Sequence, residues 1–153
     1  MGRRNALNSV IGRLLLVEDD PHDVELVRMA LEPSNLNYSM DVVFDGEQAL
    51  QYLFGTGDFR VEQPLPQLVL LDLKLPKVNG IQVLQAIRTN PRTRRLVVVV
   101  MTSSQEDSDL NTCYDLGINS YIVKPLDFQQ FLEVSQTVGS YWMTLNKPPL
   151  AVS

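Results

Sequence analysis

The sequence predicts a single α/β domain whose core is a doubly wound, five-stranded parallel sheet. Five short aliphatic runs alternate with five amphipathic segments along the 153 residues. The strongest run, LVVVVM at 96–101, is continuously apolar, which is typical of a strand covered by helices on both faces. A hydrophobic content of 44% with 20% charged residues also fits one globular domain.

The first two strand–helix units lie in the N-terminal third of the chain. RLLLV at 13–17 predicts a buried strand, Pro21 is a favoured first residue of a helix, and Pro33 ends that helix. A weaker strand is expected at 38–43. Asp45-Gly46 then marks the turn before a second helix with an apolar stripe.

A loop and the third unit occupy the middle of the chain. Two glycines and two prolines within 55–67 predict the loop. LVLLD at 68–72 repeats the pattern of an aliphatic run followed by an acid. The apolar stripe at 81–87 then predicts a helix that ends before Asn90-Pro91.

The last two units complete the alternation. The strand at 96–101 is followed by a helix from about 105 to 116, which Gly117 ends. SYIV at 120–123 predicts the fifth strand, and the last helix is expected from about 127 to 144. Five strands alternating with five helices predict a parallel sheet, taken to have the order 2-1-3-4-5, with functional groups at the carboxyl ends of the strands.

Charge and cysteine usage disfavour several classes of function. A net charge of −5 and a sequence pI near 4.8 argue against a nucleic-acid surface, and the basic clusters at 3–4 and 92–95 are short. Cys113 is the single cysteine, so neither a disulfide nor a zinc cluster is expected. No apolar stretch approaches the ~20 residues that cross a bilayer. We therefore expect a soluble, cytoplasmic protein without a membrane partner.

Chemically active side chains follow four of the five predicted strands: Glu18 and Asp19, Asp72, Thr102, and Lys124. Because the carboxyl ends of parallel strands meet at one rim, we expect these groups to converge. Clustered carboxylates suit Mg²⁺, and a lysine with a hydroxyl opposite them indicates a bound anion such as phosphate. The rim therefore predicts phosphoryl transfer, with Asp72 on the middle strand as the nucleophile.

The other acids near this rim have a different expected role. Asp20 directly precedes Pro21 and is expected to cap the helix, with a role at the metal as the less favoured alternative. Asp23 lies in the first turn, where an acid interacts favourably with the helix dipole. His22 is the only histidine and is expected to be solvated, which argues against a kinase or phosphotransfer protein.

Four motifs in order, VEDD, LLDLKLP, VVVVMTSS and YIVKP, resemble those of the receiver domain of two-component response regulators. The spacing agrees, with 30 residues from Asp72 to Thr102 and 22 from Thr102 to Lys124. The resemblance implies a (βα)5 flavodoxin-like fold with the sheet order 2-1-3-4-5 and five flanking helices. It places the receiver domain at 12–146, with an N-terminal extension at 1–11 and a C-terminal tail at 147–153.

The same resemblance assigns the site residues. It implies that Asp72 is the phosphoacceptor and that Glu18 and Asp19 are the acidic pair that binds Mg²⁺ together with Asp72. The backbone carbonyl of Lys74 would be a further metal ligand. A protein of this kind is not an enzyme in the turnover sense, although it catalyses its own phosphorylation and dephosphorylation.

Further residues are implied to respond to phosphorylation. Thr102 would contact the phosphoryl group and move on activation, and Lys124 would pair with that group. Tyr121 matches an aromatic switch position, while packing in the core is the alternative reading of its ring. The resemblance also implies a cis peptide bond between Lys124 and Pro125, which X-Pro bonds can adopt at small cost.

A narrower likeness links the chain to stand-alone response regulators that partner bacterial and cyanobacterial phytochrome kinases. It rests on the loop at 55–67, the DLGINSYIVKP stretch and the Tyr141-Trp142 pair. It implies a sensor histidine kinase as partner, a bacteriophytochrome in particular. It also implies a homodimer through the face of the fourth helix, fifth strand and fifth helix.

Three other functions were weighed against this one. A pseudo-receiver that binds partners without phosphorylation is the main alternative, and the intact set of acids, threonine and lysine argues against it. Aspartate-based phosphatases commonly need a second acid two residues after the nucleophile, where this sequence has Lys74. A DNA-binding regulator is disfavoured because about nine residues follow the last helix, too few for a helix-turn-helix domain.

Overall fold

The computed structural model describes residues 12–32, 38–56 and 64–150. Strands and helices alternate through these ranges, and the final helix continues into one π-helical turn. The elements are β1 (Gly12–Val17), α1 (Pro21–Leu31), β2 (Tyr38–Val43), α2 (Gly46–Phe54), β3 (Leu68–Leu71), α3 (Gly80–Thr89), β4 (Val98–Thr102), α4 (Asp107–Asp115), β5 (Ser120–Val123), α5 (Phe128–Ser140) and the π-helix (Tyr141–Leu145). None of the helices in these ranges is long and apolar enough to cross a membrane.

All five strands form one parallel sheet in the order β2-β1-β3-β4-β5, as the sequence predicts. Parallel neighbours require crossover connections, and the alternating helices provide them. The three interior strands, β1, β3 and β4, are the runs with the most continuous aliphatic sequence. This agrees with their position, because helices cover both faces of these strands and exclude water from them.

Successive side chains of each strand point to opposite faces, and this divides the core into two clusters. Leu15 and Val17 of β1 pack with α2, α3 and α4, whereas Leu14 and Leu16 pack with α1 and α5. All four side chains are buried. One continuous aliphatic run thus anchors helices on both faces and fixes the position of Glu18, the residue that follows it.

The helix ends show why the elements begin where they do. Asp20 adopts an extended conformation and accepts a hydrogen bond from the His22 N–H (2.8 Å), so the predicted N-cap of α1 is confirmed. Asn79 and Gln82 form a reciprocal capping box at the start of α3. Gly117, which ends the predicted fourth helix, has φ 74°, the left-handed conformation that glycine adopts without strain.

Several boundaries differ from the sequence prediction. α4 begins at Asp107 rather than about 105, because the Ser104 hydroxyl accepts a hydrogen bond from the Glu106 N–H and holds that segment in a turn. β4 begins at Val98, since the Leu96 N–H is used in a turn with the Thr93 carbonyl. The predicted stop at Pro33, most of the loop at 55–67 and the extension at 1–11 lie outside the described residues.

Candidate functional site

The backbone extends the sheet by one hydrogen bond at each of three strand ends. The N–H of Glu18 donates to the Val43 carbonyl (3.0 Å), and the N–H of Asp72 donates to the Val17 carbonyl (3.1 Å). The N–H of Lys124 donates to the Thr102 carbonyl (2.7 Å). The residues directly after β1, β3 and β5 are therefore held as firmly as strand residues, and their side chains converge at one rim.

Three carboxylates form a cluster at this rim. One oxygen from each of Glu18, Asp19 and Asp72 lies within 4.8 Å of the other two. Glu18 and Asp72 are buried, while Asp19 is exposed. Oxygen ligands that converge from two strands, with one side open to water, fit a divalent cation that keeps part of its hydration shell. The structure thus brings the three predicted metal-binding acids together.

Lys124 connects this cluster to α1. Its Nζ lies 2.7 Å from Glu18 Oε1, 2.8 Å from Asp23 Oδ2 and 3.1 Å from Asp72 Oδ2. An ammonium has three N–H donors and no acceptor, so all three donors are occupied by carboxylates. The Lys124 side chain is only 11% exposed, which makes these charge-assisted bonds stronger than pairs at the surface.

The crowding of charges alters proton affinity. The pKa of Glu18 is raised to about 7, chiefly by burial and also by the charge of Asp72, against the opposing hydrogen bond from Lys124. Burial lowers the pKa of Lys124, but the hydrogen bonds to Asp23 and Glu18 and the charge of Asp72 outweigh burial and raise the pKa overall. Lys124 is therefore a permanent cation at this site.

Asp20 lies beside the cluster but is used elsewhere. Its side chain caps α1, and its own N–H donates to Glu18 Oε2 (3.1 Å), which helps to orient the Glu18 carboxylate. His22 is exposed, as expected. Asp23 is the residue that the sequence analysis missed. Its place in the first turn of α1 suggested a dipole interaction, and only the packing of α1 shows that it contacts Lys124.

Thr102 and Tyr121 are linked through Ser104. Thr102 is fully buried, and its hydroxyl accepts a hydrogen bond from the Ser104 N–H (3.3 Å). The Tyr121 hydroxyl donates to the Ser104 carbonyl (3.1 Å), and the Ser104 hydroxyl donates to Asp109 of α4 (2.6 Å). Ser104 therefore connects Thr102 at the end of β4 with Tyr121 of β5 and Asp109 of α4.

The segment between β3 and α3 forms the other side of the site. The Lys74 N–H approaches Asp72 Oδ1 (3.4 Å). Lys77 adopts φ 67°, and its Nζ lies 3.8 Å from carboxylate oxygens of both Asp45 and Glu47 at the start of α2. A left-handed conformation is unusual for a lysine.

One expectation from the sequence is wrong. The peptide bond between Lys124 and Pro125 is trans, since the described residues contain no cis peptide bond. Trans is the lower-energy isomer of an X-Pro bond, and the contacts of Lys124 with Thr102, Glu18 and Asp72 are all made with it.

A groove of about 460 Å³ opens onto these groups. Its walls combine the polar groups of the site with apolar side chains of α1, α5 and the β5–α5 connection, among them Leu26, Leu126, Phe128 and Phe131. Leu126 is fully exposed, and Phe128 is about half exposed. The groove thus places exposed apolar side chains beside the acid cluster.

Comparison with known proteins identifies the class to which this fold and site belong. The model of the response regulator receiver domain matches residues 14–136, and the chain belongs to that family. It is a two-component response regulator; one of its relatives, Rcp1, has a Mn²⁺-bound structure, and the cluster of Glu18, Asp19 and Asp72 offers three carboxylates that could hold such an ion.

Two curated relatives match over most of their length. The response regulator Rcp1 of Synechocystis sp. (strain ATCC 27184 / PCC 6803 / Kazusa) is 35% identical over 138 residues, which cover 90% of this chain and 93% of Rcp1. The probable methanogenesis regulatory protein FilR2 of Methanothrix harundinacea (strain 6Ac) is 39% identical over 137 residues, or 89% of this chain and 86% of FilR2.

Solved structures give the same assignment. The Mn²⁺-bound form of Rcp1 matches with a TM-score of 0.87 and 34% identity, and the match covers 91% of this chain and 99% of the Rcp1 chain. The phosphorylated cyanobacterial phytochrome response regulator RcpA has a TM-score of 0.87 and 33% identity over the same shares. The bacteriophytochrome response regulator RtBRR is 50% identical, with a TM-score of 0.72, and covers 92% of this chain and 85% of its own.

Proposed function

We propose that this response regulator accepts a phosphoryl group on Asp72 from the phosphohistidine of a bacteriophytochrome-type sensor histidine kinase. One observation supports this most directly. Asp72 Oδ2 lies 3.1 Å from the Lys124 ammonium, and the Asp72 carboxylate belongs to the acid cluster with Glu18 and Asp19. A buried carboxylate between a fixed cation and a metal-binding pair has the surroundings that in-line phosphoryl transfer requires.

The transfer forms one bond and breaks one. A carboxylate oxygen of Asp72 attacks the phosphorus atom, and the bond between phosphorus and the imidazole nitrogen breaks. The electron pair of that bond stays on the imidazole, and Asp72 becomes an acyl phosphate. Lys124 is positioned to hold a phosphoryl oxygen, and the Thr102 hydroxyl lies at the end of the neighbouring strand.

The metal in this proposal is Mg²⁺. Glu18, Asp19 and Asp72 would hold it, with the carbonyl of Lys74 as a further ligand. When bound, it offsets the repulsion among the carboxylates and neutralises charge on the phosphoryl oxygens. The same groups would let the protein catalyse its own dephosphorylation by water.

Phosphorylation would act through the contacts of Ser104. A phosphoryl oxygen that draws in the Thr102 hydroxyl removes it from the Ser104 N–H, and the Ser104 carbonyl is the acceptor for Tyr121. Thr102 and Tyr121 therefore act as switch residues in this proposal. The signal passes to α4 and β5 as a shift between two conformations.

The partner follows from the relatives and from the groove. RcpA and RtBRR are phytochrome and bacteriophytochrome response regulators, and both cover most of this chain. The apolar walls of the groove suit the helices of a kinase that presents its phosphohistidine to Asp72. We place the reaction in the cytoplasm, where the single free cysteine, Cys113, is stable.

Self-association through α4, β5 and α5 is the second part of the proposal. β5 is an edge strand, and exposed apolar side chains lie on α4 (Tyr114), on β5 (Val123) and at the end of α5 (Tyr141). Such side chains at a sheet edge favour a protein contact over free exposure to water. Sedimentation analysis of the wild type and of Val123→Glu tests it, because a homodimer through this face would dissociate in the variant.

Phosphorylation itself is tested with a small donor. We expect the protein to form an acid-stable but base-labile phosphoryl adduct with phosphoramidate and Mg²⁺, observed as a gain in intact mass. Asp72→Asn should abolish the adduct, whereas Asp20→Asn should retain it, since Asn caps a helix as well as Asp. A wild type that stays unmodified would support the pseudo-receiver alternative, in which the protein binds partners without phosphorylation.

The kinase partner needs a separate experiment. Purified bacteriophytochrome kinase with labelled phosphohistidine should transfer its label to the wild type within minutes and leave Asp72→Asn unlabelled. A sensor kinase of another class, present at equal concentration, serves as the control. Equal rates from both donors would contradict the assignment to phytochrome signalling without affecting Asp72 as the phosphoacceptor.

A further inference from the structure

Lys124 contacts two of the three carboxylates that form the metal site. Its Nζ donates to Glu18 Oε1 (2.7 Å) and Asp72 Oδ2 (3.1 Å), and both residues belong to the cluster with Asp19. A divalent cation on this cluster would lie close to an ammonium that is attracted by the same carboxylates. Two cations that share the same anions repel each other strongly where the surroundings are buried.

Asp23 is the partner of Lys124 that does not belong to the metal cluster. Its Oδ2 lies 2.8 Å from Nζ, and the Asp23 side chain is only 17% exposed. It projects from the first turn of α1, whose start is fixed by the Asp20 cap. Asp23 can therefore keep the ammonium when Glu18 and Asp72 are engaged by a metal and a phosphoryl group.

The position of the Lys124 ammonium determines the net charge that the metal cluster offers to a cation. When its charge is directed to Glu18 and Asp72, Lys124 reduces the net charge of the three-carboxylate cluster from three negative charges to two. Paired with Asp23, the ammonium is neutralised, and all three negative charges of the cluster remain available to a divalent cation.

We propose that Asp23 is a positioning residue that holds Lys124 and thereby lowers the competition between its ammonium and the divalent cation for Glu18 and Asp72. This role rests on the proposed function, because it assumes that the cluster binds a metal for phosphorylation of Asp72. The role depends on the contact between Asp23 of α1 and Lys124, the residue directly after β5. Neither residue is a metal ligand or the phosphoacceptor.

The test is Mg²⁺ binding to the full chain, measured by calorimetry at constant ionic strength. Asp23→Asn should weaken Mg²⁺ binding about tenfold, which lies within the usual range for the energetic coupling of one residue to binding at a neighbouring site. Asp20→Asn is the matched control, since it removes the same charge from the same end of α1 and retains the cap, while Asp20 is not among the carboxylates that bind the Lys124 ammonium. Its effect should stay within about threefold, as for a screened charge.

A double-mutant cycle separates positioning from general electrostatics. In a Lys124→Gln background, Asp23→Asn should change the Mg²⁺ affinity no more than Asp20→Asn does, because the competing ammonium is gone. Equal effects of Asp23→Asn and Asp20→Asn in the wild-type background would overturn the inference, as would a tenfold effect that persists without Lys124. Circular dichroism of each variant checks that the domain retains its helix content.

The outcomes also distinguish this inference from the proposed function. A wild type without measurable Mg²⁺ binding, or one whose binding is unchanged by Asp19→Asn, would refute the metal site itself. A wild type that binds Mg²⁺ through Asp19 but shows no specific effect of Asp23 would refute only the positioning role.

Discussion

Glu18 gives a prediction that links the site to stability. A buried carboxylate whose pKa is raised in the folded state binds a proton more tightly there than in the unfolded chain. The free energy of unfolding therefore falls as the pH rises from the ordinary pKa of 4.5 through the folded value of about 7, and is constant above it. Replacing Glu18 with Gln, which keeps the shape but cannot ionise, should remove this loss.

The magnitude follows from the two pKa values. Between pH 5 and pH 8, a shift from 4.5 to about 7 corresponds to a loss of about 2.5 kcal/mol in the free energy of unfolding. The Glu18 side chain is 4% exposed, so solvent screening does not reduce this value much. Lys124 remains charged throughout this range, so its protonation does not contribute to the difference in the free energy of unfolding between pH 5 and pH 8.

Urea denaturation at pH 5 and pH 8 without divalent metal measures the effect, and Glu25→Gln on the exposed side of α1 is the control. Wild type and Glu25→Gln should lose stability over this range, while Glu18→Gln should lose about 2 kcal/mol less. Mg²⁺ at pH 8 should stabilise the wild type more than Glu18→Gln. A pH dependence that is the same in all three proteins would refute the reasoning.

Three further predictions concern the rest of the domain. Arg88 donates to four backbone carbonyls in the segments after α3 and α4. Arg88→Met should therefore lower the free energy of unfolding by ~3 kcal/mol, measured by urea denaturation. The control Arg28→Met, at an exposed position, should lower it by less than ~1 kcal/mol. Burial raises the Cys113 pKa to about 11, so a thiol reagent at pH 8 should label it at least ~100-fold slower in the native state than in urea. A Cβ on Gly46 would overlap the Val78 carbonyl, so Gly46→Ala should lower the unfolding free energy by at least ~2 kcal/mol.

The sequence located most of the site because one local pattern marks it. Glu18, Asp72 and Lys124 each follow an apolar strand directly, and the alternation with helices makes the sheet parallel. Neighbouring parallel strands bring their carboxyl ends to the same edge. Residues that are far apart in the chain were therefore assigned to one rim without knowledge of any distance.

The contacts of Ser104 could not be predicted from the pattern of strand ends. Ser104 lies two residues beyond β4, and its bonds to Asp109 and Tyr121 join α4 to β5. Asp109 lies in the first turn of α4, where the helix dipole alone would explain an acid and gives no reason for it to face Ser104. The trans peptide at Pro125 was likewise beyond the sequence, because the small energy difference between X-Pro isomers is decided by the surrounding contacts.

The sequence by itself determined the alternation of strands and helices and the identity of the acids, threonine and lysine at the rim. Periodicity and strand ends encode these features locally. Only the tertiary structure decided that Asp23 shares Lys124 with Glu18 and Asp72. That contact depends on the rotation and depth at which α1 packs on the sheet, and these are set by many buried side chains acting together rather than by the residues in contact.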